Sequence, residues 1–271
     1  MNITTTYRLV RGERFLRIKT TVENTVEDHV IRALFPTGIK TDTACVEVPF
    51  DVVEREIPLP DTRNWREPYR PVQPQQNFVD LSDGKIGVAI INRGLPQYEA
   101  VDDEQRTIAL TLLRAHRAWN SVRLARYPDQ SGTQLQGTYT FEYAILPHKG
   151  DWKKGNMLYE AESFNVPAFV GTAGPGKGNL PLEKSFFELV GEGLVMNALK
   201  HGEWDDTIVL RVSNPTSDDI QGSLKTAVPI KKAELVNLLE QETECELKIR
   251  DGNISLNVPK KKILTLKLHL K

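Results

Sequence analysis

The stretch that decides the fold is residues 78–114, FVDLSDGKIGVAIINRGLPQYEAVDDEQRTIALTLLR. Two apolar runs stand in it, Ile86–Ile91 (IGVAII) and Thr107–Leu113 (TIALTLL). A strand with one wet face alternates apolar and polar residues, whereas a run that is apolar almost throughout needs cover on both faces. Both runs are therefore predicted as central strands. A turn at Ser82-Asp83-Gly84 leads into the first, and a long polar loop, Asn92–Arg106, is expected to join them. That loop carries Arg93, Gly94, Pro96, Tyr98 and several acids. A polar loop held on rigid buried strands is a common setting for a binding site.

Strand signals continue outward in both directions. Upstream, Ile3–Val10 alternates and ends at the turn Arg11-Gly12-Glu13, and Phe15, Ile18 and Val22 mark the next strand. His29–Phe35, Thr43–Val48 and Asp51–Ile57 follow. Pro58–Gln75 is rich in Pro, Arg and Gln and reads as a long loop holding Trp65 and Tyr69. Downstream, Thr133–Leu146 alternates over a long strand, and Trp152–Phe164 is the one place where a short helix fits. Asn165–Pro181, with its Gly and Pro residues, has the chemistry of a linker. Beyond it the strands are short: Ser185–Val190, Leu194–Lys200, Thr207–Val212, Ile220–Lys225, Lys232–Leu239, Glu246–Arg250, Asn253–Val258 and Ile263–Leu270. The expectation is an all-β chain. A large antiparallel β-sandwich, or supersandwich, spans residues 1–150, a linker spans 151–182, and a smaller C-terminal β-sandwich spans 183–271.

Composition narrows the function classes. The 271 residues carry 35 Lys and Arg against 36 Asp and Glu, so nothing favours a nucleic-acid partner. No run of eighteen apolar residues predicts a membrane span. The start, MNITTTYRLVRGERF, lacks the apolar core of a signal peptide. Two cysteines far apart, Cys45 and Cys245, point to a reducing, cytoplasmic setting. The chain enters the strand ITTTYRLV at once. Either that strand is the first element, or the chain was cut from something longer.

The residues alone disclose no reaction centre. The five histidines, His29, His116, His148, His201 and His269, are scattered, and their ordinary reading is as surface or capping groups. The acid pairs Asp102-Asp103 and Asp205-Asp206 read as solvated turns before they read as glycosidase carboxylates. Glu54 and Arg55 are adjacent in a strand and must face opposite sides. Lys260-Lys261-Lys262 reads as a solubilising basic turn.

The linear pattern adds a resemblance. PFDVVERE (49–56), FVDLSDGKIGVAIINRGLPQYEA (78–100), IALTLLRA (108–115) and GTYTFEYAILPHKGDW (137–152) together resemble the C-terminal β-rich part of glycoside hydrolase family 38, the α-mannosidases. VLRVSNPTSDDIQGSL (209–224) and VPKKKILTLKLHL (258–270) are similar to that family's last small sandwich. The resemblance implies retaining hydrolysis of O-glycosyl bonds by a nucleophilic aspartate, with zinc or another divalent metal holding sugar hydroxyls. Both belong to an N-terminal catalytic domain that nothing here resembles. It therefore implies a fragment or subunit with no catalytic residue and no metal of its own, inactive alone, packed on that domain and forming part of the sugar cleft wall. By the same resemblance Arg114 reaches toward a mannose-containing glycan, and Asn92, Arg93 and Tyr98 are further candidates for the wall. An Arg114 paired to an acid at a domain interface is the competing reading.

Two other functions stay open at this point. An independent carbohydrate-binding module would stack sugars on exposed rings, for which Trp65, Tyr69, Trp119 and Tyr127 are available. A purely structural domain would only buttress a neighbour. A homo-oligomer is compatible with either.

Overall fold

A computed structural model describes residues 1–67, 69–117 and 131–271. The chain divides into two compact units, Met1–Val48 with Val53–Pro167, and Pro49–Val52 with Ala168–Lys271. The candidates Trp119 and Tyr127 lie outside the described residues.

The first eleven strands are β1 (Asn2–Leu9), β2 (Leu16–Asn24), β3 (His29–Phe35), β4 (Thr43–Val48), β5 (Asp51–Glu56), β6 (Gln73–Pro74), β7 (Phe78–Ser82), β8 (Ile86–Asn92), β9 (Gln97–Ala100), β10 (Ile108–Ala115) and β11 (Gly137–Lys149). They form a seven-stranded sheet, β1-β2-β11-β8-β7-β4-β5, and a four-stranded sheet, β3-β10-β9-β6. All their pairings are antiparallel among the described residues. Ile18, Val46, Val79, Leu81 and Ile90 of the larger sheet share one core with Tyr98, Ile108, Leu110 and Leu112 of the smaller. This is the large β-sandwich that the strand spacing predicts.

The run IGVAII behaves as its composition requires. β8 lies between β7 and β11. Val88 and Ile90 face the core between the sheets, so alternation turns Ala89 and Ile91 to the outer face. There a helix, α1 (Met157–Asn165), packs on β8. Its buried residues Met157, Glu160, Ala161 and Phe164 follow the i, i+3, i+4, i+7 spacing of one helical face. This helix belongs to the first unit, so the segment expected as linker from 151 begins as part of the sandwich. An apolar face at helical spacing outweighs the Gly and Pro content further on. The loop expected over Asn92–Arg106 is also shorter than it reads. β9 interrupts it, and Tyr98, opposite Leu110, makes that strand one wall of the core.

The second unit contains β12 (Phe187–Val190), β13 (Val195–His201), β14 (Ile208–Asn214), β15 (Ile220–Thr226), β16 (Ile230–Val236), β17 (Thr243–Leu247), β18 (Ile249–Arg250), β19 (Asn253–Val258) and β20 (Lys262–Leu270). A four-stranded sheet, β12-β15-β19-β18, faces a five-stranded one, β13-β14-β20-β16-β17. Leu224, Ile254, Leu256 and Val258 from the first meet Leu210, Val212, Leu266 and Leu268 from the second. Burying each such side chain contributes about 1.5–3 kcal/mol.

Candidate functional site

The four residues singled out from the sequence do not form one cluster. Asn92 closes β8 and is wholly buried. Its Nδ2 donates to the Gln76 carbonyl at 3.0 Å, and its Oδ1 accepts from the Leu95 amide at 2.8 Å. Tyr98 is 1% exposed. Its hydroxyl accepts from Arg55 Nη1 at 3.5 Å, and burial raises its pKa above the ordinary value. Arg55 is thus the inward member of the Glu54-Arg55 pair, with Glu54 exposed. Arg93 is exposed and ion-pairs with Glu142, donates to the Phe164 carbonyl, and sits 5.0 Å from the Phe164 ring centroid. Arg114 is exposed at the far end of β10, opposite Val30. It lies four positions along from Leu110, the partner of Tyr98, which is about 13 Å along an extended strand.

Alternation along the core strands, and register with them for β1, assign a second set of polar residues to the outer face of the seven-stranded sheet. Cys45 and Glu47 come from β4, Asp80 from β7, His148 and Glu142 from β11, Arg17 and Lys19 from β2, and Thr6 and Arg8 from β1. Sequence reading takes His148 as a surface or capping histidine. Its side chain is instead fully enclosed, and Nε2 donates to Asp80 Oδ1 at 2.7 Å. Two glycines make room for the ring. A Cβ on Gly87 would sit 2.4 Å from it and one on Gly155 2.8 Å from it. Burial raises the Asp80 pKa. At His148 burial acts downward most strongly, but the hydrogen bond to Asp80, the Asp80 charge and a hydrogen bond to the Lys149 carbonyl together outweigh it, and its pKa is raised.

Glu47 is the other unusual acid. Its Oε1 accepts from Asn77 Nδ2 at 3.0 Å, while Oε2 is enclosed with no hydrogen-bond partner. Burial pushes its carboxyl up to about 7. Cys45, directly opposite Asp80, is a free thiol pushed up to about 12 by burial, which removes it as a nucleophile. The signal for these groups was present in the sequence, since an acid inside FVDLS and an acid inside TACVEV interrupt buried strands.

The loop carboxylates are engaged in turns. Arg106 bridges Asp102 and Asp42, and Asp103 accepts from the Thr107 amide and hydroxyl at 3.0 and 2.8 Å. Asp205 accepts from Lys267 at 2.9 Å, and Asp206 from His201 at 3.1 Å. Among the described residues no group of three or more His, Cys, Asp or Glu is placed to hold a metal ion. No helix among them is long and apolar enough to cross a membrane.

Comparison with known proteins places the chain. Residues 1–130 match the family described as glycosyl hydrolases family 38 C-terminal domain, and residues 193–266 match its C-terminal beta sandwich domain. A putative mannosylglycerate hydrolase of Halalkalibacterium halodurans is 28% identical over 98% of this chain and 28% of the relative. Alpha-mannosidase 2C1 of Mus musculus is 27% identical over 90% of this chain and 22% of the relative. The crystal structure of an alpha-mannosidase from Enterococcus faecalis V583 superposes with a TM-score of 0.82 at 28% identity, over 98% of this chain and 28% of that one. The chain thus spans about a quarter of the length of these relatives. Two family matches in order, on two β-sandwiches in order, have one reading: the chain belongs to glycosyl hydrolase family 38, as its C-terminal β region.

Proposed function

We propose that this chain serves an α-mannosidase-like glycoside hydrolase by packing on an N-terminal catalytic domain and forming part of the sugar cleft wall. The observation that carries this reading is the coverage. Nearly the whole chain, 98%, corresponds to only 28% of an alpha-mannosidase structure, which leaves the greater part of such a protein to supply the chemistry. A glycosidase needs two carboxylates about 5–9.5 Å apart beside the sugar. The acid pairs read from this sequence are tied up in turns. The catalytic aspartate, and zinc or another divalent metal, are accordingly assigned to the catalytic domain.

Within this reading Arg114 and Arg93, both exposed residues, are the ones of this chain that approach the glycan, Arg93 with its guanidinium already bound to Glu142 and the Phe164 carbonyl. A planar cation with five donors suits sugar hydroxyls or a carboxylate. Asn92 and Tyr98 act from beneath, holding the β8–β9 turn in place. A cytoplasmic setting fits two free thiols. Trp65, exposed on a loop, keeps a sugar-binding module as the second reading.

Complementation tests the proposal. The chain and the N-terminal remainder of the whole protein are expressed separately and mixed. A stable complex that recovers α-mannosidase activity is expected. Two parts that neither associate nor gain activity on mixing, while the uncut protein is active, would count against it. Binding of mannosides by the isolated chain, lost in Trp65→Ala, would favour the module.

A further inference from the structure

The outer face of the first unit has a hollow of about 560 Å³ that the proposed function does not use. Thr6, Arg8 and Val10 line it from β1 and the residue after it, Arg17 and Lys19 from β2, Glu142 from β11 and Phe164 from α1. Its volume falls in the range of small-molecule sites, about 300–1,000 Å³.

The charges in it are unevenly matched. Arg17 is fixed by Glu13, whose two oxygens accept from Nε and Nη2 at 2.7 Å each. Arg93, at the edge of the hollow, is fixed by Glu142. Both guanidinium groups lie 5.0 Å from the Phe164 ring centroid, so the ring holds them in place. That uses both carboxylates. Arg8 and Lys19 make no close side-chain hydrogen bond or ion pair among the described residues; Glu13, already bound to Arg17, lies within electrostatic reach of Arg8, and Glu142, already bound to Arg93, stands across from Lys19 on β11. Arg8 stands directly across from Arg17, and Lys19 directly across from Thr6. Like charges opposed across two strands are destabilising in an empty sheet. Charge on an edge strand can serve merely to block strand addition. An edge charge, however, needs no second cation opposite it, no hydroxyl beside it and no aromatic wall.

We propose that this hollow binds a small anionic ligand, a carboxylate or phosphate carried on a sugar-sized molecule. Arg8 and Lys19 would neutralise the anion, the Thr6 hydroxyl would donate to it, and Val10 and the Phe164 ring would cover the apolar part. The ligand's charge would relieve the Arg8–Arg17 opposition, so binding also stabilises the β1–β2 pair.

Titration calorimetry on the full chain tests this, with inorganic phosphate, a hexose 6-phosphate, a hexuronate and the neutral hexose as probes. At least one anionic probe is expected to bind with a Kd of about 1 mM or tighter, weakening as salt rises, while the neutral hexose does not bind. Inorganic phosphate as tight as the hexose phosphate would identify a free anion as the ligand. A tenfold preference for the sugar acid would identify a sugar-borne one. Arg8→Gln and Lys19→Gln are each expected to weaken binding at least fivefold. Thr6→Glu, which puts a carboxylate in the hollow without removing a cation, is expected to abolish it. The proposal is overturned if no anionic probe binds at about 10 mM, or if binding is unchanged in the Arg8→Gln/Lys19→Gln double variant or in Thr6→Glu.

Discussion

His148 and Asp80, on strands separated by β8, meet at 2.7 Å with side chains 0% and 1% exposed, in a space that the glycines at 87 and 155 leave open. Breaking such a pair strands a buried polar group, and Asp80 Oδ2 already has no partner. Asp80→Ala or His148→Ala is expected to cost about 3–5 kcal/mol. Gly87→Ala should be similarly damaging, because its Cβ would overlap the imidazole. The sharper expectation is coupling. In a His148→Ala background Gly87→Ala should lose much of its cost, a non-additivity of at least about 1 kcal/mol in urea unfolding. Additive effects would mean that the glycine serves the backbone rather than the ring.

The enclosed Glu47 gives the first unit an unusual pH response. Its folded pKa, about 7, stands above the ordinary 4.5. The folded state therefore holds a proton that the unfolded state has released, and its contribution is full below pH 4.5 and lost as pH rises to about 7. Glu47→Gln should flatten that limb and stabilise the unit at pH 8 by about 1–3 kcal/mol. Hydrogen exchange at Ile90, followed against pH, reads it directly.

Glu234 predicts the opposite limb in the second unit. Lys232 and Thr243 donate to one oxygen at 2.7 and 3.0 Å, and His269 donates to the other at 2.7 Å. Lys232 foremost holds the carboxyl down to about 2. A lowered pKa gives stability that is present above 4.5 and lost as pH falls toward 2. Exchange at Leu210 should accelerate over that window, and Glu234→Gln should remove the dependence. An unchanged acid limb in the variant would show that other groups set it.

Legibility from sequence followed burial. IGVAII and TIALTLL have no polar face, and both fold as central strands. His29–Phe35, Thr43–Val48 and Asn253–Val258 match their strands to the residue, because turn or Pro residues bound them. β7 does not read as a strand because Asp80 and Ser82 look like the start of a turn, yet one oxygen of Asp80 is bound by a histidine 68 residues away. β9 was missed because QYEA is short, and only its pairing with β10 makes it a strand. Thr133–Leu146 begins late, since Ser131–Gln134 is a 3-10 turn whose Gln134 caps Asp28. The candidate site was less legible. Arg93 and Arg114 look alike in sequence, but long-range partners decide that one anchors a helix end while the other sits at a strand end.

That difference is testable in the whole protein. Arg93 holds Glu142 and the last turn of α1, so Arg93→Ala is expected to lower stability by about 1–2 kcal/mol. Arg114→Ala is expected to leave Tm nearly unchanged and lower kcat/KM at least tenfold, about 1.4 kcal/mol. An Arg114→Ala protein that keeps full activity and melts normally would remove Arg114 from the cleft.

The central claim is that this β region supports a glycosidase without containing its chemistry. The most direct measurement is hydrolysis of an aryl α-mannoside by the purified chain and by the whole protein, each with and without added zinc. The account predicts turnover by the whole protein and none by the chain under either condition. Metal-dependent turnover by the chain alone, or a whole protein inactive on α-mannosides, would contradict it.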